Sequence, residues 1–332
     1  MIAVDLRPEA EALASVAGRA PSLHNAQPWA FRVYRDAVEV HLDGERLLPV
    51  ADPTARQAHL GLGAAVFLLR LALAGRGHLV RTVLRPDPAV PTLAARLTVV
   101  GLREPTGEQR LLLAAVPKRR TVRTPFRPGD VPATQRVRWR EHAEAEAAGL
   151  RWVEAPGERL GVAALVAAAE RRQQHDPAYL AELAHWTDPV LLADGVGVPP
   201  SAFGVTTAAG HAAEFPLRDF AGSRDTDRQR HLGPAEAHPV VAVLETGDDR
   251  PEDWLRGGQA LARVLLAATD DGYAASYLNQ PLELPALRQQ LRDELRLAGW
   301  PQAVLRLGRP VGVPPPAAPR RPPADTLLPT VE

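Results

Sequence analysis

The chain has 332 residues, 45% of them hydrophobic, and a formal net charge of zero from 39 basic and 39 acidic side chains. That length supports one large domain or two ordinary ones, and the missing basic excess argues against a nucleic-acid partner. There is no cysteine, which excludes disulfides, thiolate catalysis, Fe–S clusters and Cys-ligated zinc. Lys118 is the single lysine, so nearly every cationic contact must come from arginine. The first residues lack a basic stretch leading into an apolar one. The longest apolar run, 64–74, is broken by Arg70 and too short to span a bilayer. A cytoplasmic protein without a membrane partner is expected.

Residues 8–19 have helical spacing, with Leu13, Val16 and Ala17 on one face. Next comes Ala20-Pro21-Ser22-Leu23-His24-Asn25-Ala26-Gln27-Pro28-Trp29, which packs a hydroxyl, two carboxamides and an indole between prolines. Such a segment is costly to bury unless something accepts its hydrogen bonds, as a flat, polar-edged ligand would. Residues 31–34 and 38–42 alternate like strands around Arg35-Asp36-Ala37. Asp52-Pro53 opens a long helix to about Ala74, ended by Gly75-Arg76-Gly77, and strands are expected at 79–84 and 97–100. A boundary is expected within 104–116.

Lys118-Arg119-Arg120-Thr121-Val122-Arg123 places three guanidiniums and a hydroxyl within five positions. The planar fork of arginine suits an oxyanion, so this is a phosphate cradle or a solvated basic face. The long polar stretch 186–238 is a lid over a ligand or a surface insertion. A second aliphatic helix contains Gly258-Gln259-Ala260 and ends at Gly272. The same 195-residue offset relates Gly63 to Gly258 and Gly77 to Gly272, a spacing that chance or a divergent duplication would give. Asn279-Gln280-Pro281-Leu282-Glu283 reads as a turn before a helix at 286–297. A strand at 299–308 follows, and then a proline-rich, extended tail at 310–323 containing Arg320 and Arg321. Gly61-Leu62-Gly63 lacks the third small residue of a dinucleotide loop, and no phosphate-binding lysine motif or nucleophile elbow occurs. His175-Asp176 and His231 with His238 lack metal-site spacing, so no metal is expected.

The order Pro21-Ser22-x-x-Asn25-x-Gln27-Pro28-Trp29 resembles the signature loop of the FMN-dependent nitroreductase family, and His24 before Asn25 is typical of its fused, Acg-like branch. The resemblance covers most of the chain and is weakest from about 150 to 235. It implies an α+β, nitroreductase-like fold in which two divergent tandem halves form a pseudo-dimer. Residues 1–112 would carry the loop, and 113–332 the Arg-rich phosphate site, with 186–238 as the candidate lid.

By the same resemblance, Pro21, Ser22, His24, Asn25 and Gln27 would bind FMN from one half. Arg119 matches the phosphate-side arginine, with Arg120 beside it; Thr121 replaces the usual serine, and Arg123 matches the base at the ring edge. Pro281, Leu282 and Glu283 match the turn whose backbone amide faces flavin N5. Leu284 stands where the family has glycine and is expected to narrow access to the ring, and Arg320 and Arg321 match the closing basic pair. Each motif occurs in one half only, which implies one FMN per chain, in a monomer that imitates a dimer or in a homodimer of fused chains. No protein acid or nucleophile is required, because the flavin carries the chemistry.

The implied activity is NAD(P)H-dependent hydride transfer to a small, electron-poor acceptor such as a nitroaromatic or quinone. The alternative is an FMN storage or sequestration protein with a covered flavin and little turnover. A third reading is a tailoring dehydrogenase acting on a small metabolite.

Overall fold

Residues 56–75 are apolar around nearly the whole helix circumference, and such a helix must be buried on all sides. The computed structural model describes residues 4–203, 214–215, 218–220 and 239–329. In chain order its elements are α1 (Ala10–Ala17), β1 (Trp29–Val33), β2 (Ala37–Leu42), α2 (Arg56–Gly75), β3 (His78–Leu84), β4 (Leu93–Leu102), α3 (Gly107–Ala115), α4 (Ala133–Glu144) and β5 (Ala148–Val153). Then follow α5 (Pro156–Gln174), α6 (Pro177–His185), α7 (Pro189–Ala193), β6 (Val240–Thr246), α8 (Pro251–Asp270), β7 (Ala274–Tyr277), α9 (Pro285–Glu294) and β8 (Trp300–Gly308). By length and composition α2 is apolar enough to cross a membrane, but 89% of its apolar window is buried inside the fold.

The strands form two antiparallel four-stranded sheets with the same internal order, β1-β2-β4-β3 and β5-β6-β8-β7. Both carry a register shift in the second strand against the fourth, at Val40/His41 and at Leu244/Glu245. Helices α2 and α8 have equal length and lie between the sheets, in one continuous core that draws side chains from both.

Their contact is set by two glycines. A Cβ on Gly258 would lie 2.1 Å from the Leu60 carbonyl oxygen, and one on Gly63 would lie 2.1 Å from that of Leu255. The backbones therefore meet with no side chain between them. Arg70, which interrupts the apolar run, is accounted for at this seam: it donates to Glu146 at 2.6 Å and to Gln259 at 2.8 Å, while Arg263 donates to the other Glu146 oxygen at 2.9 Å.

Several boundaries differ from those expected. Asp52 does cap α2, accepting from the amides of Gln57 and Ala58, but the helix begins only at Arg56, after Ala55 in the left-handed region at φ 56°. Strand β4 begins at Leu93, well before 97. The stretch 104–116 contains α3, where Thr106 and Gln109 form a reciprocal capping box and Leu112 is buried. The tail has no regular element from 314 to 322.

Substituting alanine at Gly258 forces α2 and α8 apart and should cost about 1–3 kcal/mol, the usual range for overpacking a core. Gly107→Ala, where nothing lies within 4 Å of the added methyl, is the control. Urea unfolding should show a lowered midpoint for Gly258→Ala alone; equal midpoints would refute the close-contact account.

Candidate functional site

The N-terminal turn of α2, the 19–25 loop, residues 116–123, the end of β7 and the tail at 315–320 converge on one cleft of about 1400 Å³, its open mouth included. Residues 197–202, Arg218 and Phe220 complete its wall.

The 20–29 loop is backbone-strained. His24, Asn25 and Gln27 sit at φ 47°, 57° and 55°, in the left-handed region that non-glycine residues rarely adopt. Each such residue costs on the order of 1–3 kcal/mol and persists only where its surroundings enforce it. Here the Gln27 amide donates to the Ser22 hydroxyl at 3.0 Å. The Asn25 carboxamide donates to the carbonyls of Gly197 at 3.1 Å and Pro319 at 3.0 Å, and Gln27 donates to the Gly195 carbonyl at 2.7 Å. Arg320 closes the arrangement, donating to the Gly18 carbonyl at 2.8 Å and to Asn25 Oδ1 at 2.9 Å. The loop, the 195–197 turn and the tail thus lock one another.

Cations outnumber the one acidic residue on the cleft wall, Glu283, which is paired with Arg218. Arg19, Arg119, Arg120, Arg123 and Arg320 all line it, and among the described residues none of them forms an ion pair. Burial pushes the Arg320 guanidinium down to about 9, with the charges of Arg119, Arg19 and Arg120 adding to the effect. Burial likewise lowers Arg119, with Arg120 and Arg19 contributing, and brings Arg123 down to about 10, with Arg218 contributing. Depressed guanidiniums crowded together mark a place where an anion is missing from the charge balance. The neutral groups agree: Ser276 Oγ, Tyr277 OH and His24 Nδ1 are buried on this wall without a hydrogen-bond partner among the described residues. A ligand with an anionic group and polar edges satisfies both sets.

Residues 196–203 and 218–220 reach across the site. Arg218 donates to His24 Nε2 at 3.0 Å, to the Tyr179 hydroxyl at 2.6 Å and to Glu283 at 2.6 Å. Burial works against the Arg218 charge, but the Glu283 carboxylate outweighs it and holds the guanidinium above its ordinary range. Phe220 stacks on Phe203 at 5.8 Å and lies 4.8 Å from the Arg123 guanidinium. The rest of the expected lid, at 204–213, 216–217 and 221–238, lies outside the described residues, as do His231 and His238. His175 turns its ring to the Arg171 carbonyl.

Of the residues singled out in the sequence, Pro21, Ser22, His24, Asn25, Arg119, Arg120, Thr121, Arg123, Glu283 and Arg320 share this wall. Others do not reach it. Gln27 is buried behind the loop, between the Gly195 carbonyl and the Arg321 amide. Arg321 points away, to the carbonyls of Gln27 and Trp29 and to Asp43 at 3.1 Å. Pro281 and Leu282 are buried in a one-turn 3-10 helix, where the Leu282 carbonyl accepts from Arg56 at 3.2 Å. Leu284, expected to narrow the cleft, does not line it: the backbone extends there, at φ −116° and ψ 107°, and carries the residue to the start of α9.

Residues that sequence reasoning passed over are Arg19, Gln57, Arg218, Ser276 and Tyr277. Ser276-Tyr277 directly precedes the 279–283 turn and was within reach of that motif. Nothing local distinguishes Arg218.

No family model matches the chain. It is 34% identical over 310 residues to the Mycobacterium tuberculosis protein named "Putative NAD(P)H nitroreductase acg", an alignment covering 92% of this chain and 91% of that one. A second M. tuberculosis protein bearing a "Putative NAD(P)H nitroreductase" name is 32% identical over 325 residues, with 95% and 90% covered. Among solved structures, a nitroreductase-like family protein from Bacillus cereus aligns with 67% of this chain and 96% of its own, at 15% identity and a TM-score of 0.38.

An arginine wall short of an anion should bind one. Inorganic phosphate is expected to raise the thermal midpoint of the cofactor-free protein well beyond chloride at equal ionic strength, by mass action on the folded state. Arg320→Met should reduce the difference. Identical midpoints in the two salts would remove the anion site.

Proposed function

The chain belongs to the nitroreductase family, and from that premise we propose that it is an FMN-dependent oxidoreductase passing hydride from NAD(P)H to a small, electron-poor acceptor such as a nitroaromatic or quinone. The observation that carries the proposal is the cleft wall of Arg19, Arg119, Arg120, Arg123 and Arg320, with no ion pair to any of them among the described residues. FMN has one dianionic phosphate and a flat ring with polar edges, which matches the charge and the unpartnered polar atoms of that wall.

When bound, FMN supplies reversible hydride chemistry; the protein supplies position and charge. Arg119, with Arg19, Arg120 and Arg320, would hold the phosphate. Arg123, donating to the Ala202 carbonyl at 2.7 Å and buried beneath Phe220, would offer positive charge where a reduced ring carries negative charge. Ser276 and Tyr277 would donate to acceptor atoms of the cofactor. The strained loop fixes His24 and Asn25 before any ligand arrives, so little ordering cost remains for binding.

We also read the two sheets of like order, with the glycine-matched helices, as divergent copies, 1–112 and 113–332, that share one site. The strained loop belongs to one copy and Arg119, Arg123 and Tyr277 to the other, which is the basis for expecting one FMN per chain and a pseudo-dimeric monomer.

One observation favours a second reading, FMN storage. Phe220, Phe203 and Arg218 lie across the cleft, with Arg218 anchored by a buried ion pair to Glu283. A flavin under such a cover would exclude the nicotinamide ring.

Fluorescence titration should find one FMN per chain, and Arg119→Ala should weaken binding by about 1.5–3 kcal/mol, the loss of a charge-assisted hydrogen bond. Undiminished affinity would move the phosphate site elsewhere. Anaerobic NADPH decides between the readings: rapid bleaching of the flavin absorbance is expected of the oxidoreductase, and persistent colour would establish storage instead.

A further inference from the structure

We propose that Arg218 fixes His24 as its Nδ1–H tautomer, and that this N–H donates a hydrogen bond to an acceptor oxygen of the ligand in the cleft, making His24 a specificity-determining contact. The tautomer stands on the protein alone; the identity of the ligand rests on the FMN reading.

A guanidinium has donors and no acceptor. With Arg218 Nη1 3.0 Å from His24 Nε2, that ring nitrogen must present its lone pair and carry no proton. The proton of the neutral ring therefore sits on Nδ1. Two further Arg218 donors are held by Glu283 at 2.6 Å and Tyr179 at 2.6 Å, which fixes the guanidinium, and both members of the ion pair are buried. Glu283 is held from its other side by Gln173 at 2.7 Å. The ring is further fixed edge-on to Phe220 at 5.9 Å. Burial, with the charges of Arg218 and Arg123, keeps the imidazole well below its ordinary titration range, in agreement with a neutral ring.

His24 Nδ1 is buried on the cleft wall and has no partner among the described residues. A buried N–H without an acceptor is destabilising, and here it is presented from a residue in left-handed backbone, which is itself unfavourable. The protein's own hydrogen bonds hold the strained loop, but the cost of the unpaired N–H is offset only when a ligand atom accepts. The contact selects a hydrogen-bond acceptor and rejects an N–H in the same place. A flavin ring carbonyl and the oxygen of a nitro or quinone substrate share that chemistry.

The test uses full-length protein labelled with 15N at histidine, freed of cofactor, with His24 assigned by its loss in His24→Asn. Two-bond 1H–15N correlations should show a protonated Nδ1 and a pyridine-type Nε2; the reverse pattern overturns the tautomer. FMN is then added alone, followed by 4-nitrobenzoate. A shift of the Nδ1 resonance with FMN assigns the acceptor to the cofactor, and a shift only with 4-nitrobenzoate assigns it to the substrate. No shift in either step overturns the donor role. If FMN fails to bind, as read by its fluorescence, the ligand half falls with the FMN reading, and the tautomer is decided by the first spectrum.

In His24→Asn the amide Nδ2 takes the place of Nδ1, and asparagine tolerates positive φ, so this variant should fold and keep affinity for the assigned ligand within about three-fold. His24→Gln places its amide near the position of Nε2 instead and should weaken that ligand about ten-fold. Equal losses in the two variants would reduce His24 to a structural brace.

Discussion

The backbone contact between α2 and α8 is the constraint on which the rest depends. With hydrogen in place of a side chain at Gly63 and Gly258, each helix brings its backbone against a carbonyl of the other. Two sheets of like order then share one core instead of building two. The shared core sets the distance between the α2 side of the cleft, with Gln57, Leu60 and Gly61, and the β7–β8 side, with Tyr277, Asn279 and Gln302. A wider helix spacing would pull these two sides apart, so the site is a property of the joint and not of either half.

The loop at 20–29 works under a second constraint, conformational strain held by reciprocal hydrogen bonds. Asn25 and Arg320 bind each other and both bind backbone carbonyls, so neither the loop nor the tail is positioned without the other. Asn25 therefore spends its carboxamide on carbonyls of the 197 turn and the tail. Arg320 joins this lock while its charge is crowded by Arg119, Arg19 and Arg120, and an anion there would relieve the crowding and tighten the lock together. Ligand binding and ordering of the tail are coupled by that one side chain.

Helices α1, α2, α8 and α9, the first sheet, strand β8 and the loop were legible because their signals are local, whereas α3 to α7, β5 and β6 were not anticipated. Periodicity marked α2 and α8, alternation marked β1 and β2, and the repeat spacing of the glycines marked the helix joint before its purpose was visible. The failures are also physical. The capping box at Thr106 and Gln109 starts a helix that the sequence reading did not name. Leu284 and Arg321 stand at motif positions, yet one leaves the cleft as the backbone extends into α9 and the other turns to Asp43. Adjacent residues in a turn or an extended tail point in different directions, and spacing along the chain does not say which of them faces the site.

The sequence by itself determined which residue types were available: arginine as nearly the only cation, no thiol, one polar loop between prolines, and two glycine-matched helices. Those are matters of covalent chemistry and short-range pattern. Only the tertiary structure decided that Arg218, Ser276, Tyr277 and Gln57 share a wall with that loop, that His24 is held by an arginine 194 positions away, and that Arg19, Arg119, Arg120, Arg123 and Arg320 have no acidic partner among the described residues. Those facts depend on which surfaces come together when apolar area is buried, and contacts between residues so distant in the chain leave no periodic or local trace in it.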